Sequence, residues 1–507
     1  MKKCAVMGKF SFKEFNENAT LAFKRADFKL RPNASFGIWA CMLLPVAIIL
    51  SFWKHQREAS LFYKLNVIAA IGICFINITI LYNIAKKSKI NTRLTATVAV
   101  SLMTSCLFWI CMRKDWLYSF LYSFGVISTY SLILPICLYS LPLAFTFGEA
   151  AICAQGIVLF IFSAIVNILD IEFISCLSPY TKSRISDTIL QVGILGICLI
   201  ASIICFFKIL QNYIAFYITT VSVILLAMFP MMHVLLNQSP IIWILVFMFN
   251  DSRRIYLIMY WGTCVLIAIL LMYWQISGGA KASTALRKYF HILAVLIYVP
   301  GLIYECTLLY LASGVVFAIF IMIEIIRKFD IWPFGKLLQM GFSTYADEKD
   351  AAEIALTPIY LIVGCTLPMW IHPCPCDLTD SAGFNLMPLL AGLLSIGIGD
   401  TMASIIGSNF GRHKWKGSKK SVEGTLSSII FQLLLVLLLV YTGKILYLLI
   451  IKNISYYINI YSAGFVKGSC YNILQSIFAI VTNALIEAKT DQVDNLVLPI
   501  ITYILLL

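Results

Sequence analysis

Apolar stretches of roughly 18 to 25 residues recur from one end of the chain to the other, separated by short polar loops. Each is long enough to cross a hydrocarbon layer of about 30 Å at about 1.5 Å per residue of helix. Residues 36 to 53, 65 to 83, 187 to 207 and 425 to 442 are clear instances. Counting such stretches predicts about 13 to 15 transmembrane helices, and the fold class is all-α, polytopic. The span limits are softest in the long apolar run 211 to 249, which holds Pro230 and Pro240. A water-free bilayer core forces every backbone polar group to pair within its own segment, so helices are the natural reading of these runs.

The polar residues divide the chain into three regions. Residues 1–31 carry eight Lys or Arg and no apolar run of useful length, so they read as a retained, cytosolic basic segment rather than a cleavable signal. Residues 32–280 alternate spans with short basic loops, and Glu149 and Asp170, flanking one span, read as interfacial residues reaching the headgroups. In residues 281–507 the texture changes. RKYFH at 287–291, EIIRKFD at 324–330, DEKD at 347–350, a Gly- and Lys-rich segment at 397–424 and EAKTDQVDN at 487–495 alternate with spans. Threading the chain outward from the basic loop 409–424 brings all five clusters to one membrane face, as parts of a single site would be.

Composition narrows the function classes. Of 507 residues, 61% are hydrophobic and 12% charged, about half the charged share of a soluble domain. The net charge of +14 does not indicate nucleic-acid binding, because the basic residues lie in short loops such as 54–64, 86–93 and 113–114, where they set membrane orientation. The 16 cysteines fall mostly inside apolar runs, as small buried hydrophobes rather than a disulfide framework. Cys374 and Cys376, with His372, lack the spacing and the fourth ligand of a zinc site.

The chemistry concentrates between residues 397 and 428. Asp400 lies about two turns inside the end of a span, where a carboxylate is costly unless it meets a cation, and magnesium bound by one or two carboxylates and substrate phosphates is the usual arrangement in nucleotide chemistry. Asp400 is therefore the first choice of metal ligand, with Ser404 and Ser408 on the same helical face. Gly399, Ala403, Gly407 and Gly411 form a small-residue stripe with two readings, close helix packing or backbone approach to phosphate. Arg412, Lys414, Lys416, Lys419 and Lys420, interleaved with Gly411, Gly417 and Gly424, make a flexible basic lid ending at a helix start, a setting suited to a triphosphate. It is neither a Walker A motif nor a dinucleotide fingerprint.

The run GDTMASIIGSNFGRHKWKGSKKSVEGT at 399–425 resembles the CTP-binding signature of dolichol kinases, in which GD and an AS and Gly pattern precede KK(S/T)xEGT. RKYFH at 287, the segment 347–371 and the terminal EAKTDQVDNLVLPI fit the same family in order, over about 220 residues. The resemblance implies CTP as phosphoryl donor and Mg2+ or another divalent cation. It also implies dolichol or a similar long polyprenol as acceptor, in the endoplasmic reticulum membrane, multi-pass, with the site facing the cytosol and the product serving protein glycosylation and GPI-anchor synthesis. By this resemblance Lys419, Lys420, Ser421, Glu423 and Gly424 belong to the CTP site, with Glu423 on metal, ribose or a neighbouring lysine. Asp494 and Asn495 either add oxygens near the metal or cap the last span, and Asp347 and Asp350 are open in the same way. His291, beside Arg287 and Lys288, is either a base for the acceptor alcohol or a structural residue. A kinase of a shorter prenol of phytol or farnesol type, a CTP:phosphatidate cytidylyltransferase and a transporter are the competing readings. No protein partner can be inferred.

Overall fold

The structure is a computed structural model that describes residues 12–86, 94–113, 115–169, 181–278, 284–345, 354–376, 380–418, 420–453 and 462–507. Among the described residues the chain is helical, apart from one isolated bridge between Lys414 and Ser421. Nine helices in this set are long and apolar enough to cross a membrane, and five shorter apolar helices of 10–17 residues accompany them. The chain divides into two compact units, Met1–Phe52 with Ser60–Ser163, and Trp53–Ala59 with Ala164–Leu507.

The first unit holds α1 (Phe12–Arg25), α2 (Leu43–Lys54), α3 (Leu61–Ala85), α4 (Leu94–Met112), α5 (Trp116–Ser140) and most of α6 (Phe147–Leu169). Its interior is pinned by polar groups that have no water to turn to. Tyr130 donates to Asn77 at 2.7 Å, while the Asn77 and Gln155 amides both donate to the Cys41 carbonyl, at 3.0 and 2.6 Å. Glu149 does not reach for headgroups as expected. It is fully buried, bound by Arg31 at 2.6 Å and by the Thr146 amide at 2.9 Å, because an apolar interior gives a carboxylate no alternative to a cation. Asp170 lies outside the described residues.

The second unit begins with α7 (Thr181–Phe206), α8 (Tyr213–Val223), α9 (Phe229–Leu236), α10 (Pro240–Phe249) and α11 (Ser252–Ser277). The single turn α12 (Thr284–Arg287), α13 (Tyr289–Tyr304), α14 (Cys306–Lys328), α15 (Gly335–Tyr345), α16 (Thr357–Ile371) and α17 (Leu386–Leu389) follow. A π-helical segment, Leu393–Asp400, runs into α18 (Thr401–Phe410), and α19 (Val422–Asn453), α20 (Ser462–Lys489) and α21 (Asp494–Leu506) complete the unit. The π segment is the hub, buried along its length and packed by α13, α16, α18, α19, α20 and α21. It fits there because its neighbours come within backbone distance. A Cβ on Gly392 would fall on the Gly364 carbonyl and 2.7 Å from the Cys365 Cα.

Charged residues collect at the two ends of α13. Its start carries Lys288 and His291, described below. Just past its other end, about 20 Å away by helical rise, Glu305 and Asp380 are both buried against Arg254, each at 3.0 Å. Thr307 donates to Asp380 at 2.8 Å, and the Asp380 carbonyl accepts from the Cys306 amide at 2.6 Å. A disulfide, Cys306–Cys376, closes the same corner. This corrects the reading of the cysteines: two of them leave the apolar background to bond, because the α13–α14 turn and the 372–385 loop meet there, and Cys376 is thereby withdrawn as a metal thiolate. His372 sits at this end too, tilted against His55 at 4.7 Å between ring centres, and burial with the charges of His55 and Lys54 holds its pKa down to about 3.

Arg254 is the test of this corner. Arg254→Met leaves two buried carboxylates without their shared cation and is expected to destabilise the protein by about 3 kcal/mol or more. Arg253→Met, whose side chain is 56% exposed, costs well under that. Thermal melts of the detergent-solubilised variants check the order. Maleimide-polyethylene glycol labelling of Cys306 and Cys376 should require prior reduction.

Candidate active site

Asp400 ends the π segment, and a wide helical turn of this kind often marks a functional position. Its carboxylate receives the Lys288 ammonium directly and has the His291 Nε2 3.5 Å from the same oxygen. Both side chains come from the start of α13, three residues apart, so they lie on one side of that helix and face the hub together. His291 is 7% exposed, and neither ring nitrogen has a hydrogen-bond partner.

A second lysine arrives from the loop after α18. Residues 413–422 fold back as a small hairpin: Trp415 N donates to the Lys420 carbonyl at 3.0 Å and Val422 N to the His413 carbonyl at 2.8 Å. Gly417 supplies the positive φ, +79°, that its tip requires. Ser421 caps α19 by accepting from Gly424 N at 3.2 Å, and the Trp415 indole donates to Thr425 at 2.9 Å. The hairpin thus sets Lys420 across the end of α20. Its Nζ donates to the Glu487 carbonyl at 2.7 Å and lies 3.4 Å from Asp494 in the first turn of α21. Burial works against the charge on Lys420, but Asp494, Glu487 and Asp400 outweigh it and raise the pKa above the ordinary lysine value.

Glu487 completes the group. It is 5% exposed and in electrostatic range of Lys420, Asp400, Asp494 and Lys288. Three carboxylates and two lysines from α13, the π segment, the hairpin, α20 and α21 therefore share one buried locality.

The expected residues separate into three groups. Asp400, His291, Lys420 and Asp494 come together. Gly407, Gly411, Ser421 and Gly424 sit where α18 crosses α19 and serve close packing: a Cβ on Gly424 would lie 2.8 Å from the Ala403 carbonyl and 3.2 Å from the Gly407 Cα. Arg412, Lys414 and Lys416 are exposed on the hairpin, and Asn495 is buried beneath Asp494 with its carbonyl against Gly364. Glu423, expected near the metal, instead engages His413, through the amide at 3.0 Å and the ring Nδ1 at 2.6 Å, and so braces the hairpin. Lys419, Asp347 and Asp350 lie outside the described residues. Glu324 and Arg327 of the EIIRKFD cluster pair with each other at 2.5 Å and hold α15 through Gln339 at 2.7 Å, apart from the site. Glu487 and the Lys288–Asp400 pair were not picked out from the sequence, although a carboxylate in the last turn of an apolar helix was a signal for the first.

As for a divalent cation, the shared donors of Asp400, Glu487 and Asp494 are all carboxylate oxygens, the ligand type that hard cations such as magnesium take. Among the described residues no three such groups are close enough together to hold a metal ion in this arrangement, so the carboxylates suit such an ion in ligand type and not as an assembled set, and Glu423, held by His413, does not join them.

The family model for dolichol kinase matches residues 15–411. The chain belongs to the dolichol kinase family. It is 35% identical over 389 residues to the dolichol kinase of Mus musculus, covering 73% of this chain and 67% of that one. It is equally similar to the dolichol kinase of Homo sapiens, with 66% of that chain covered. Dolichol kinase EVAN of Arabidopsis thaliana is 34% identical over 275 residues, 53% of this chain and 43% of that one. The chain spans about two thirds of the length of the mammalian relatives it matches. No solved structure matches it. Within the dolichol kinase match lie α13, the π segment and Asp400, while the hairpin, Glu487 and Asp494 follow its end.

The crossing of α18 and α19 carries the hairpin, and Gly424→Ala is expected to prise it open, at a cost of about 1–3 kcal/mol. Gly417→Ala, in open space, incurs only the left-handed backbone cost of about 1–2 kcal/mol. Melting temperature and limited proteolysis within 411–421 separate the two: only Gly424→Ala should expose the hairpin to cleavage.

Proposed function

We propose that the protein is a dolichol kinase that transfers the γ-phosphate of CTP to the hydroxyl of dolichol, at the cluster formed by Lys288, His291, Asp400, Lys420, Glu487 and Asp494. Family membership carries the reaction and the acceptor, and does not favour the shorter-prenol, cytidylyltransferase or transporter readings. CTP as donor rests on the resemblance of 399–425 to the family's nucleotide signature. A divalent cation held by Asp400 with Glu487 or Asp494 would neutralise phosphate charge in the transferring group.

Phosphoryl transfer needs neutralised charge and alignment more than covalent help. Lys420, held at the mouth of the cluster by the hairpin, and Lys288, on Asp400, are placed to meet the oxygens of a triphosphate. As the acceptor oxygen bonds to the γ-phosphorus, the bridging oxygen leaves with CDP, and the alcohol proton passes to a neighbouring base. His291, buried beside Asp400 with both ring nitrogens unpaired, supports that role.

The orientation has its own support. The Cys306–Cys376 disulfide lies at the opposite ends of the helices from Lys288 and Asp400, and disulfides form in oxidising compartments such as the lumen of the endoplasmic reticulum. A lumenal position for this disulfide supports a kinase cluster that faces the cytosol.

Membranes containing the protein, given dolichol and γ-labelled CTP, should form labelled dolichyl phosphate, and a parallel tube with labelled ATP should not. Formation of CDP-diacylglycerol from phosphatidate in place of dolichyl phosphate would sink the reading. Asp400→Asn and Lys420→Ala should each lower turnover by about 100-fold or more while the protein remains in the membrane. Near-normal turnover by Asp400→Asn removes Asp400 from the metal site.

A further inference from the structure

Beneath the charged cluster, toward the middle of the membrane, lie polar side chains that the fold does not satisfy. On α20, Asn483 is one turn deeper than Glu487 and on the same face, and it is fully buried. Both its amide oxygen and its amide nitrogen lack a hydrogen-bond partner. On α19, Gln432 is fully buried and lies against Gly399, the residue before Asp400, where a glycine Cβ would come 2.6 Å from the Gln432 Nε2. That nitrogen donates to Ser428 at 2.8 Å, but the Gln432 Oε1 has no partner. His291, on α13, adds an Nδ1 with no partner, its Nε2 being 3.5 Å from Asp400. These groups come from three helices packed around the π segment.

A buried amide left unpaired costs about 1–3 kcal/mol, and native interiors hold few of them. In an apolar span the cheap alternative at such a position is leucine, and both α19 and α20 are otherwise rich in aliphatic residues. Unpaired amides on helices packed against the segment that ends in Asp400 are what a site for a small polar group looks like before that group arrives. The direction of arrival decides what the group is. A nucleotide comes from the aqueous side, past the hairpin and Lys420. A lipid alcohol comes from the hydrocarbon, with its hydroxyl leading, and meets the site from below.

We propose that Asn483, one turn deeper in the membrane than Glu487, and Gln432, beside Gly399, bind the hydroxyl of the lipid alcohol acceptor. An alcohol offers one O–H and two lone pairs. The Asn483 amide N–H donates to the acceptor oxygen, and the Gln432 Oε1 receives its O–H, so that the oxygen is held close to Asp400 and His291 before its proton leaves. The inference rests on the dolichol kinase reading and adds the residues that recognise the acceptor.

The test uses the full chain in detergent or nanodiscs, with the isosteric changes Asn483→Leu and Gln432→Met. Each should raise the KM for dolichol by about tenfold or more, the equivalent of one lost hydrogen bond to a buried partner, and leave the KM for CTP within about twofold. Asn483→Leu removes a buried amide with no partner, so its melting temperature should stay level or rise, whereas Gln432→Met also gives up the hydrogen bond to Ser428 and is judged on KM alone. A fall in melting temperature for Asn483→Leu would show that this amide holds the fold together and overturns the proposal, as does an unchanged KM for dolichol or a rise confined to CTP. Failure of the unaltered protein to phosphorylate dolichol from CTP is a separate result and strikes the function itself.

Discussion

A carboxylate at the end of a buried π-helical turn has to be met by positive charge, and the second unit is organised around meeting it. Removing an ion from water into a helix bundle costs several kcal/mol unless a partner of opposite charge is held in place. Lys288 answers Asp400 directly, and this requires α13 to begin beside the hub. Lys420 answers Asp494 and the end of α20, and this requires the hairpin to fold back over α18. The glycines at the α18–α19 crossing and at Gly364 and Gly392 are the steric conditions for both.

The same requirement recurs at the far end of α13, with the signs exchanged in emphasis: one arginine serves two carboxylates. Arg254 ties α11 to the α13–α14 turn and to the loop that leads through α17 into the π segment. Whatever fixes Asp380 therefore also fixes the approach of the chain to Asp400. The two ends are linked by α13 on one side and by the 380–400 segment on the other, so the geometry of the reactive end is borne by ion pairs about 20 Å away.

Much of this was legible in the sequence, for a physical reason. Bilayer length and polarity leave few options, so span-length apolar runs reported the all-α class directly, and the cost of a charge at depth picked out Asp400, while Lys420 came from the basic loop and Asp494 from the terminal polar cluster. Long-range pairing was harder. Nothing local tells Lys288 from Arg287, or reveals that Glu149 is claimed by Arg31 rather than by solvent. The Gly407 and Gly411 stripe had two meanings, and the structure displays the packing one. Glu423 looked like a ligand because it stands in an acidic position of a nucleotide-like motif, yet His413, ten residues earlier, claims it once the hairpin closes. Asn483 was invisible from composition because an amide in a span draws attention only when its lack of partners is known.

The disulfide at Cys306 and Cys376 has a consequence for biogenesis. Only a chain whose 372–385 loop has been delivered to an oxidising compartment acquires this bond; one threaded in the reverse sense would keep two thiols there and form the Arg254 cluster without a covalent clasp. On the orientation proposed above, the bond is a lasting record of which way round the protein entered the membrane, written on the face away from the proposed nucleotide site.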